Sequence, residues 1–499
     1  AETAWLQRAP AASEGQALGE RVHAGARLVV PGYPAALGER VHAGARLVVP
    51  AIPEPEAWPR TLAALAAATI AEGRSVILAV PDRRDLERLA AAVAAAVGAE
   101  QVVRLDADQP AAARYRAFLQ ARSRPGLAIV GTRSVVYAPA QDLGLLAVWD
   151  DGDPAYQEPL APGAHARDAA LVRQELEGCA LVLLAHSPSA EAERLVEVGW
   201  CERVGFVRRP VPRVIPTAMQ TGGDRIAEQA RIPSSAWRSA ADALANGPVL
   251  VQVSRPGDET PGGSQRTATE LGRAFPQAKV VVADGTHRVD AVGPEPALVI
   301  ATRGAEPVAA GGYRAVLLLD GDRMLGRESL RVVEDALRTW SNAIALAAPA
   351  APIHLVGVGG AIGAALAQWR QPDVVRGELA ERALVRLPPA VRTATLLGSP
   401  AAVGAAVAAA GIAFEDVIGP VAEEDGVVRT IVRFDYRRGA EVATALRTEI
   451  LRHATGRRTA SRTHPQRSAA LRVRMDDPEP FVGRRFGTAA RGGAGQALG

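Results

Sequence analysis

The acidic turn Asp150-Asp151-Gly152-Asp153 follows directly on an apolar run at 143–149. Carboxylates so placed suit a hydrated magnesium ion, which takes oxygen ligands and keeps several waters; a solvated acidic turn is the alternative. A second apolar run, 127–130, ends in Gly131 and then Thr132, Arg133 and Ser134, donors suited to phosphate oxygens. Thr302 and Arg303 repeat that pattern after the run 297–301. Both 127–130 and 143–149 are nearly all apolar rather than alternating, as strands buried in a parallel sheet are. Ligands of such sheets sit at the carboxyl ends of the strands, so these turns are where a functional site is expected.

Other chemistries find less support. Ser187 beside His186, with Asp168 upstream, lacks the G-x-S-x-G surroundings of a nucleophile elbow. The glycines of 357–363 do not keep the register of a dinucleotide fingerprint, and no acidic residue lies about 20 positions on at a second strand end. A tight turn with close helix packing is the plainer reading. His165 and Asp168 fall on one side of a helix, but two ligands do not make a metal site. Cys179 and Cys201 make neither a zinc site nor a disulfide framework. No catalytic residue and no metal site are assigned.

The elements that must position these turns alternate in type. Helices are expected at 58–72, 83–97, 110–122, 165–178 and 189–197, interleaved with strands at 75–80, 102–105, 127–130, 143–149 and 180–185. After a Pro- and Arg-rich stretch the alternation resumes: strands at 249–253, 279–282, 297–301, 315–319 and 354–357, with helices at 265–275 and 327–345. Strand–helix alternation of this kind means doubly wound parallel sheets. The expected organisation is an irregular segment 1–57, a first lobe 58–205, a linker 206–246, a second lobe 247–390, a C-terminal domain 391–482 and a basic Gly-rich tail 483–499.

The chain has 499 residues, is 48% hydrophobic and carries a net charge of +3. Arginine supplies nearly all the positive charge, Lys279 being the sole lysine. No run approaches the roughly 18 apolar residues that span a bilayer, and the start AETAWLQRAP lacks signal-peptide character; a cytoplasmic, nucleoid-associated protein is expected, with no membrane contact. ALGERVHAGARLVVP occurs at 17–31 and again, identically, at 36–50. Two perfect copies are too few and too alike for a structural repeat, so no function is built on them.

Several ordered blocks carry a resemblance. VGTRSVVYAP followed by DLGLLAVWDDGDPAYQ is similar to the replication-restart PriA family, where the pattern runs GTRSAxFAP and then LGLIxxDEEHDxxY. APGAHARDAALVR resembles its PRYHARDVA block, LLLAHSPSAEA its LGSATPSLE, and LVIATRGAEP its ILxGTQMxxKG. VWDDGD brings the chain nearest to the degenerate actinobacterial members. The resemblance covers about 58–482 and implies an α/β architecture of two RecA-like doubly wound lobes joined by a linker, plus a small α+β C-terminal domain.

The departures from the family decide more than the match. Its helicases need a loop G-x-x-x-x-G-K-S/T whose lysine reaches the terminal phosphates, but here 45–60 contains prolines and no such loop. Lys279 lies in a strand context far down the chain. Asp-Glu-Glu-His of the family becomes Asp150-Asp151-Gly152-Asp153, a vestige of the nucleotide–magnesium site. Trp340, Asn342 and alanines stand where the family has its arginine finger. The zinc-binding cysteine pairs have no counterpart in 251–272. The family uses ATP with magnesium, and zinc; neither is expected as a cofactor here.

Nucleic-acid contacts remain. Thr132, Arg133 and Ser134 match a family motif that touches the DNA backbone, with Thr302 and Arg303 their second-lobe counterpart. From 429 to 499 fifteen arginines face six acidic residues, a local charge of +9, which favours phosphate-dominated, salt-sensitive binding; a solvated surface is the alternative. Arg433, Arg437 and Arg438 flank Phe434 and Tyr436, which could stack on bases. The expected function is a restart-primosome protein that binds forked and single-stranded DNA and, with its primosome and helicase-loading partners, helps reload the replicative helicase without hydrolysing ATP. Two readings compete: an ATP-dependent helicase with an atypical phosphate site using Arg60 or Arg74, and an unrelated α/β cofactor enzyme built on the turn 357–363.

Overall fold

The computed structural model describes residues 30–160, 163–219, 231–254, 264, 267–269, 272, 275, 278–460 and 469–481. The first copy of the repeat as far as 29, most of the helix expected at 265–275, and the basic tail lie outside the described residues. The chain divides into two units.

One unit carries two parallel sheets. Helix α1 (Ala36–His42) precedes β1 (Arg46–Pro50), and α2 (Ala57–Ala71), β2 (Ser75–Ala79), α3 (Arg83–Val97), β3 (Val102–Leu105), α4 (Ala111–Ser123), β4 (Ala128–Gly131), β5 (Leu143–Trp149), α5 (Ala166–Glu177), β6 (Ala180–Ala185), α6 (Ala190–Glu197) and β7 (Glu202–Arg203) follow. The strands lie in the order β3-β4-β2-β5-β6-β1-β7 and every pair is parallel. β2, β4, β5 and β6 are buried along their whole length, which explains their lack of alternation. The sequence signals for helix ends hold: Asp82 accepts from the Asp85 N–H at 2.8 Å to start α3, and Gly98 follows its end at φ +96°. Ser189 caps α6 by accepting from the Ala192 N–H at 3.0 Å.

One expectation is corrected here. The segment 1–57 is not irregular throughout, because β1 is built from the second repeat copy and sits inside the sheet between β6 and β7. Leu47 and Val49 are buried in the core, as are Leu37 and Val41 of α1. Pro50 is the last strand residue, and the next donor, the Ala51 N–H, bonds the Ala185 carbonyl at 2.7 Å.

The second sheet uses β8 (Val214–Pro216), β9 (Val249–Val253) after α7 (Ser234–Leu244), β10 (Lys279–Ala283), β12 (Ala297–Thr302), β14 (Ala315–Leu318) and β15 (Ile353–Leu355), in the order β10-β12-β9-β14-β15-β8, again parallel. β11 (Ala291–Val292) and β13 (Val308–Ala309) form a separate two-stranded ribbon. The helix expected at 327–345 starts later, as α9 (Val332–Ile344), and a short helix α8 (Gly321–Leu325) precedes it outside those bounds; Gly326 follows α8, and the acidic Glu334 and Asp335 favour the start of α9 in its first turn. α10 (Gly360–Ala367) and α11 (Gln371–Leu384) follow.

The other unit comprises Gln157–His165, Glu328–Arg331 and Ala380–Gly499. Its described part is an antiparallel sheet, β17-β18-β16-β19, formed by β16 (Arg392–Gly398), β17 (Asp416–Ala422), β18 (Val428–Phe434) and β19 (Arg472–Met475). Helices α12 (Pro400–Ala410) and α13 (Gly439–Ala460) accompany it, and Leu396, Val432, Phe434 and Leu446 are core residues. The α/β class, with two doubly wound parallel-sheet lobes and a small α+β domain, is thus the observed one. Among the described residues no helix is long and apolar enough to cross a membrane.

Candidate functional site

The acidic turn stands at the carboxyl end of β5, where the Asp150 N–H bonds the Leu184 carbonyl of the neighbouring strand at 2.8 Å. Asp150 adopts a left-handed φ of +53°, a conformation that short polar residues tolerate. The turn is not solvated. Asp150 is 2% exposed and Asp151 1% exposed, and the second lobe supplies the partners of Asp150. Arg338 Nη1, on α9, donates to Asp150 Oδ2 at 2.8 Å and to Asp153 Oδ2 at 2.9 Å, and Asn342 Nδ2, one turn further on, donates to Asp150 Oδ2 at 2.8 Å. A side chain at Gly152 would meet Arg338 Cδ at 3.3 Å, so the glycine makes room for the guanidinium. Asp151 is held within its own lobe, accepting from Ser189 Oγ at 2.5 Å and from Arg167 Nη1 at 3.2 Å.

Burial pushes the Asp150 carboxyl up to about 6; Arg338 opposes the rise and Asp153 adds to it. Burial works against the Arg338 charge, but Asp150, Asp153 and Asp335 override it and push its pKa further up. The stretch 338–348 therefore holds, beside Trp340 and Asn342, an arginine that pairs with the acidic turn. Its signal was the i, i+4 spacing of Arg338 and Asn342. Trp340 is wholly buried.

The stretch between β1 and α2, where a phosphate loop would lie, is closed by rings. Trp58 stacks on Trp149 with centroids 4.2 Å apart and planes 7° from parallel, and Arg88 lies over Trp58 at 5.2 Å. Trp149 Nε1 donates to Asp85 Oδ2 at 3.0 Å. His186 meets Trp149 edge-on at 5.1 Å; its Nδ1 lies 3.0 Å from Asn342 Oδ1 and its Nε2 3.2 Å from the Ile52 carbonyl. Burial pushes this imidazole down to about 4, against those two hydrogen bonds. Glu54, Arg84, Glu306 and Leu346 help to line a small cleft beside these rings, and Arg84 Nη1 reaches the Glu306 carbonyl at 2.5 Å.

These residues do not fit a magnesium nucleotide. Asp150 Oδ1 and Asp151 Oδ1 are buried without a hydrogen-bond partner, but the positive charge a cation would bring is already supplied by Arg338 and Arg167. Among the described residues no group of three or more His, Cys, Asp or Glu side chains is arranged to hold a metal ion. Lys279 opens β10, in the other lobe.

The remaining sequence-predicted residues separate into exposed and committed ones. Thr132 precedes a 3-10 turn, Arg133–Tyr137, on which Ser134 is exposed; Arg133 Nη1 donates to the Ala155 carbonyl at 3.0 Å. Thr302 is 3% exposed at the end of β12, which withdraws its hydroxyl from phosphate, and Arg303 is half-buried with its N–H on the Val253 carbonyl at 3.2 Å. Arg433 is committed too: it pairs with Asp416 and donates to the carbonyls of Val385 and Arg386, both at 3.0 Å. Phe434 is wholly buried and offers no stacking face, because β18 alternates and turns it into the core. Tyr436 is 40% exposed, Arg437 is exposed, and Arg438 pairs with Glu441 at 2.6 Å.

The competing sites do not assemble. His186 faces Asn342 and Ile52, and Asp168 lies 3.4 Å from Arg167. Arg74 is bound to the Leu143 carbonyl at 2.9 Å, and Arg60 is exposed on α2. A side chain at Gly363 would meet Pro216 at 3.1 Å, so the glycine-rich turn serves close helix packing.

Residues 383–479 match the family model of the primosomal protein N C-terminal domain. The probable replication restart protein PriA of Mycobacterium tuberculosis H37Rv is 36% identical, over 84% of this chain and 76% of its own length. That of Mycobacterium leprae is 36% identical over 71% of this chain and 67% of its own. Replication restart protein PriA of Bacillus subtilis is 30% identical over 18% of this chain and 11% of its own. A solved structure of RecG bound to a three-way DNA junction aligns at a TM-score of 0.44 and 11% identity, over 73% of this chain and 48% of that one; at that level the likeness bears on neither ligand nor activity.

Proposed function

The chain belongs to the PriA family of replication restart proteins, and on that premise we propose that it binds branched and single-stranded DNA at stalled forks and helps reload the replicative helicase without running as an ATP-driven motor. The observation that carries this reading is the joint at the acidic turn. Arg338 and Asn342 of the second lobe bind Asp150 of the first, where a motor of this class would bridge its lobes through magnesium and phosphate. Stacked Trp58 and Trp149 take the room a phosphate loop would need, and the one lysine lies in the other lobe. Two lobes tied directly to each other form a platform, and a platform suits a scaffold that recognises DNA and presents it to primosome proteins in the cytoplasm.

The test is binding to a labelled model fork at two salt concentrations, with phosphate release from ATP read in the same samples. Fork binding that weakens with salt, without release above a protein-free blank, is the expected result. Phosphate release that rises with DNA would return the chain to the motors.

A further inference from the structure

Helix α4 (Ala111–Ser123) is turned inside out. Surface helices usually bury their large apolar stripe, but here Ala121 is the one fully buried residue and Ala113 and Ala117, at i−8 and i−4 from it, are half-buried. The opposite face presents Tyr115 (63% exposed), Phe118 (40%), Leu119 (43%) and the exposed Arg122, which fall at i, i+3, i+4 and i+7 and so share one side of the helix. Between Asp108 and Asp142 the chain holds five arginines and no acidic residue. Arg114, Arg122 and Arg124 are exposed and have no carboxylate partner among the described residues. Aromatic residues make up 4% of the chain, and among the described residues five aromatic side chains are exposed: Tyr115, Phe118, Tyr137, Tyr436 and Phe481. Three of those five lie in this one acid-free stretch.

We propose that α4 is a single-strand-binding face, with the Tyr115 and Phe118 rings stacking on bases and the surrounding arginines on phosphates. The proposal rests on the DNA-binding reading above and adds a place for the unpaired strand. Charge decides the class of occupant: an all-arginine rim attracts a polyanion, and the rings offer sequence-tolerant stacking. Residues three apart on a helix are offset by about 4.5 Å along its axis, which suits neighbouring bases. A stripe of three large side chains is small beside the roughly 800 Å² that each partner of a stable protein interface buries, which disfavours a folded protein. Placement agrees as well. Leu105 of β3 and Gly131 of β4 are in parallel register, so α4 begins at the same sheet edge as the turn Arg133–Tyr137, which carries exposed Ser134 and Tyr137.

The experiment uses the full chain with an oligothymidylate of about a dozen nucleotides carrying iododeoxyuridine for photocrosslinking, alongside equilibrium binding of that strand and of a fully duplex fork. The variants are Y115S/F118S and R122Q/R124Q. Crosslinks are expected in the α4 peptide. Y115S/F118S should weaken single-strand binding at least tenfold with little change in salt dependence, whereas R122Q/R124Q should flatten the salt dependence. Duplex-fork binding and unfolding temperature should stay at wild-type values in both, since the replaced side chains are exposed. Crosslinks elsewhere, with Y115S/F118S binding the strand as wild type does, overturn the proposal and leave the face to an acidic protein partner. A wild-type chain that binds the duplex fork but not the single strand overturns this proposal alone. One that binds neither overturns the fork-binding reading with it.

Discussion

Asp150 shows how a buried carboxylate can become part of a joint between two lobes. Its carboxylate is buried, and burial of a charge is tolerated only where donors compensate it; Arg338 and Asn342 do so from the other lobe. Removing Arg338 alone, as in R338A, strands a buried carboxylate and should cost about 3–5 kcal/mol. In denaturant unfolding, R338A and D150A should be non-additive by more than about 1 kcal/mol; additive effects would mean that the two side chains do not stabilise each other. The pH dependence has two opposed parts. Asp150 is raised to about 6, so the native state binds the extra proton above the ordinary carboxylate range and stability falls as pH rises towards about 6. His186 is lowered to about 4, so the unfolded state binds the extra proton below the ordinary imidazole value and stability falls as pH drops towards about 4. The two offset each other in overlapping windows. Relative to wild type, D150N should therefore gain stability as pH rises from about 4 to about 6 and H186Q should lose it, both read as unfolding temperature against pH. Parallel curves for the three proteins would contradict both assignments.

At the scale of elements, the segments readable in the sequence were those with local signatures. α3 spans 83–97 as expected, and β3, β6 and β9 match to the residue, since a short apolar run between a cap and a turn is specified by neighbours in sequence. β1 was not readable, because Leu47, Val48 and Val49 are a short apolar run before a proline within a duplicated stretch. What makes it a strand is a slot between β6 and β7, with five residues in register with β6. A chain beginning at Trp58 should accordingly lose the packing of the first lobe, seen as lost near-ultraviolet dichroism and rapid proteolysis. A truncated chain that unfolds with wild-type cooperativity would mean that β1 is dispensable.

For the whole molecule, the arginine surplus is smaller than its count suggests. Of the fifteen arginines at 429–499, Arg429 pairs with Glu423, Arg433 with Asp416, Arg438 with Glu441 and Arg452 with Glu449. Counterion release gives a slope of about −0.9 per phosphate neutralised, so a handful of exposed arginines should give a fork-binding slope of about −4 in log K against log salt; a slope near zero would remove electrostatics from the reading. The sequence by itself determined the parallel lobes, the family blocks and the missing phosphate-loop lysine, because strand burial, motif order and residue identity are written along the chain. Only the tertiary structure decided that Asp150 and Asp151 are buried, that Phe434 belongs to the C-terminal core while Arg433 pairs with Asp416, and that Arg338 is the partner of Asp150. Asp150 and Arg338 are 188 positions apart, and no local pattern specifies a contact that exists only once two sheets are set against each other.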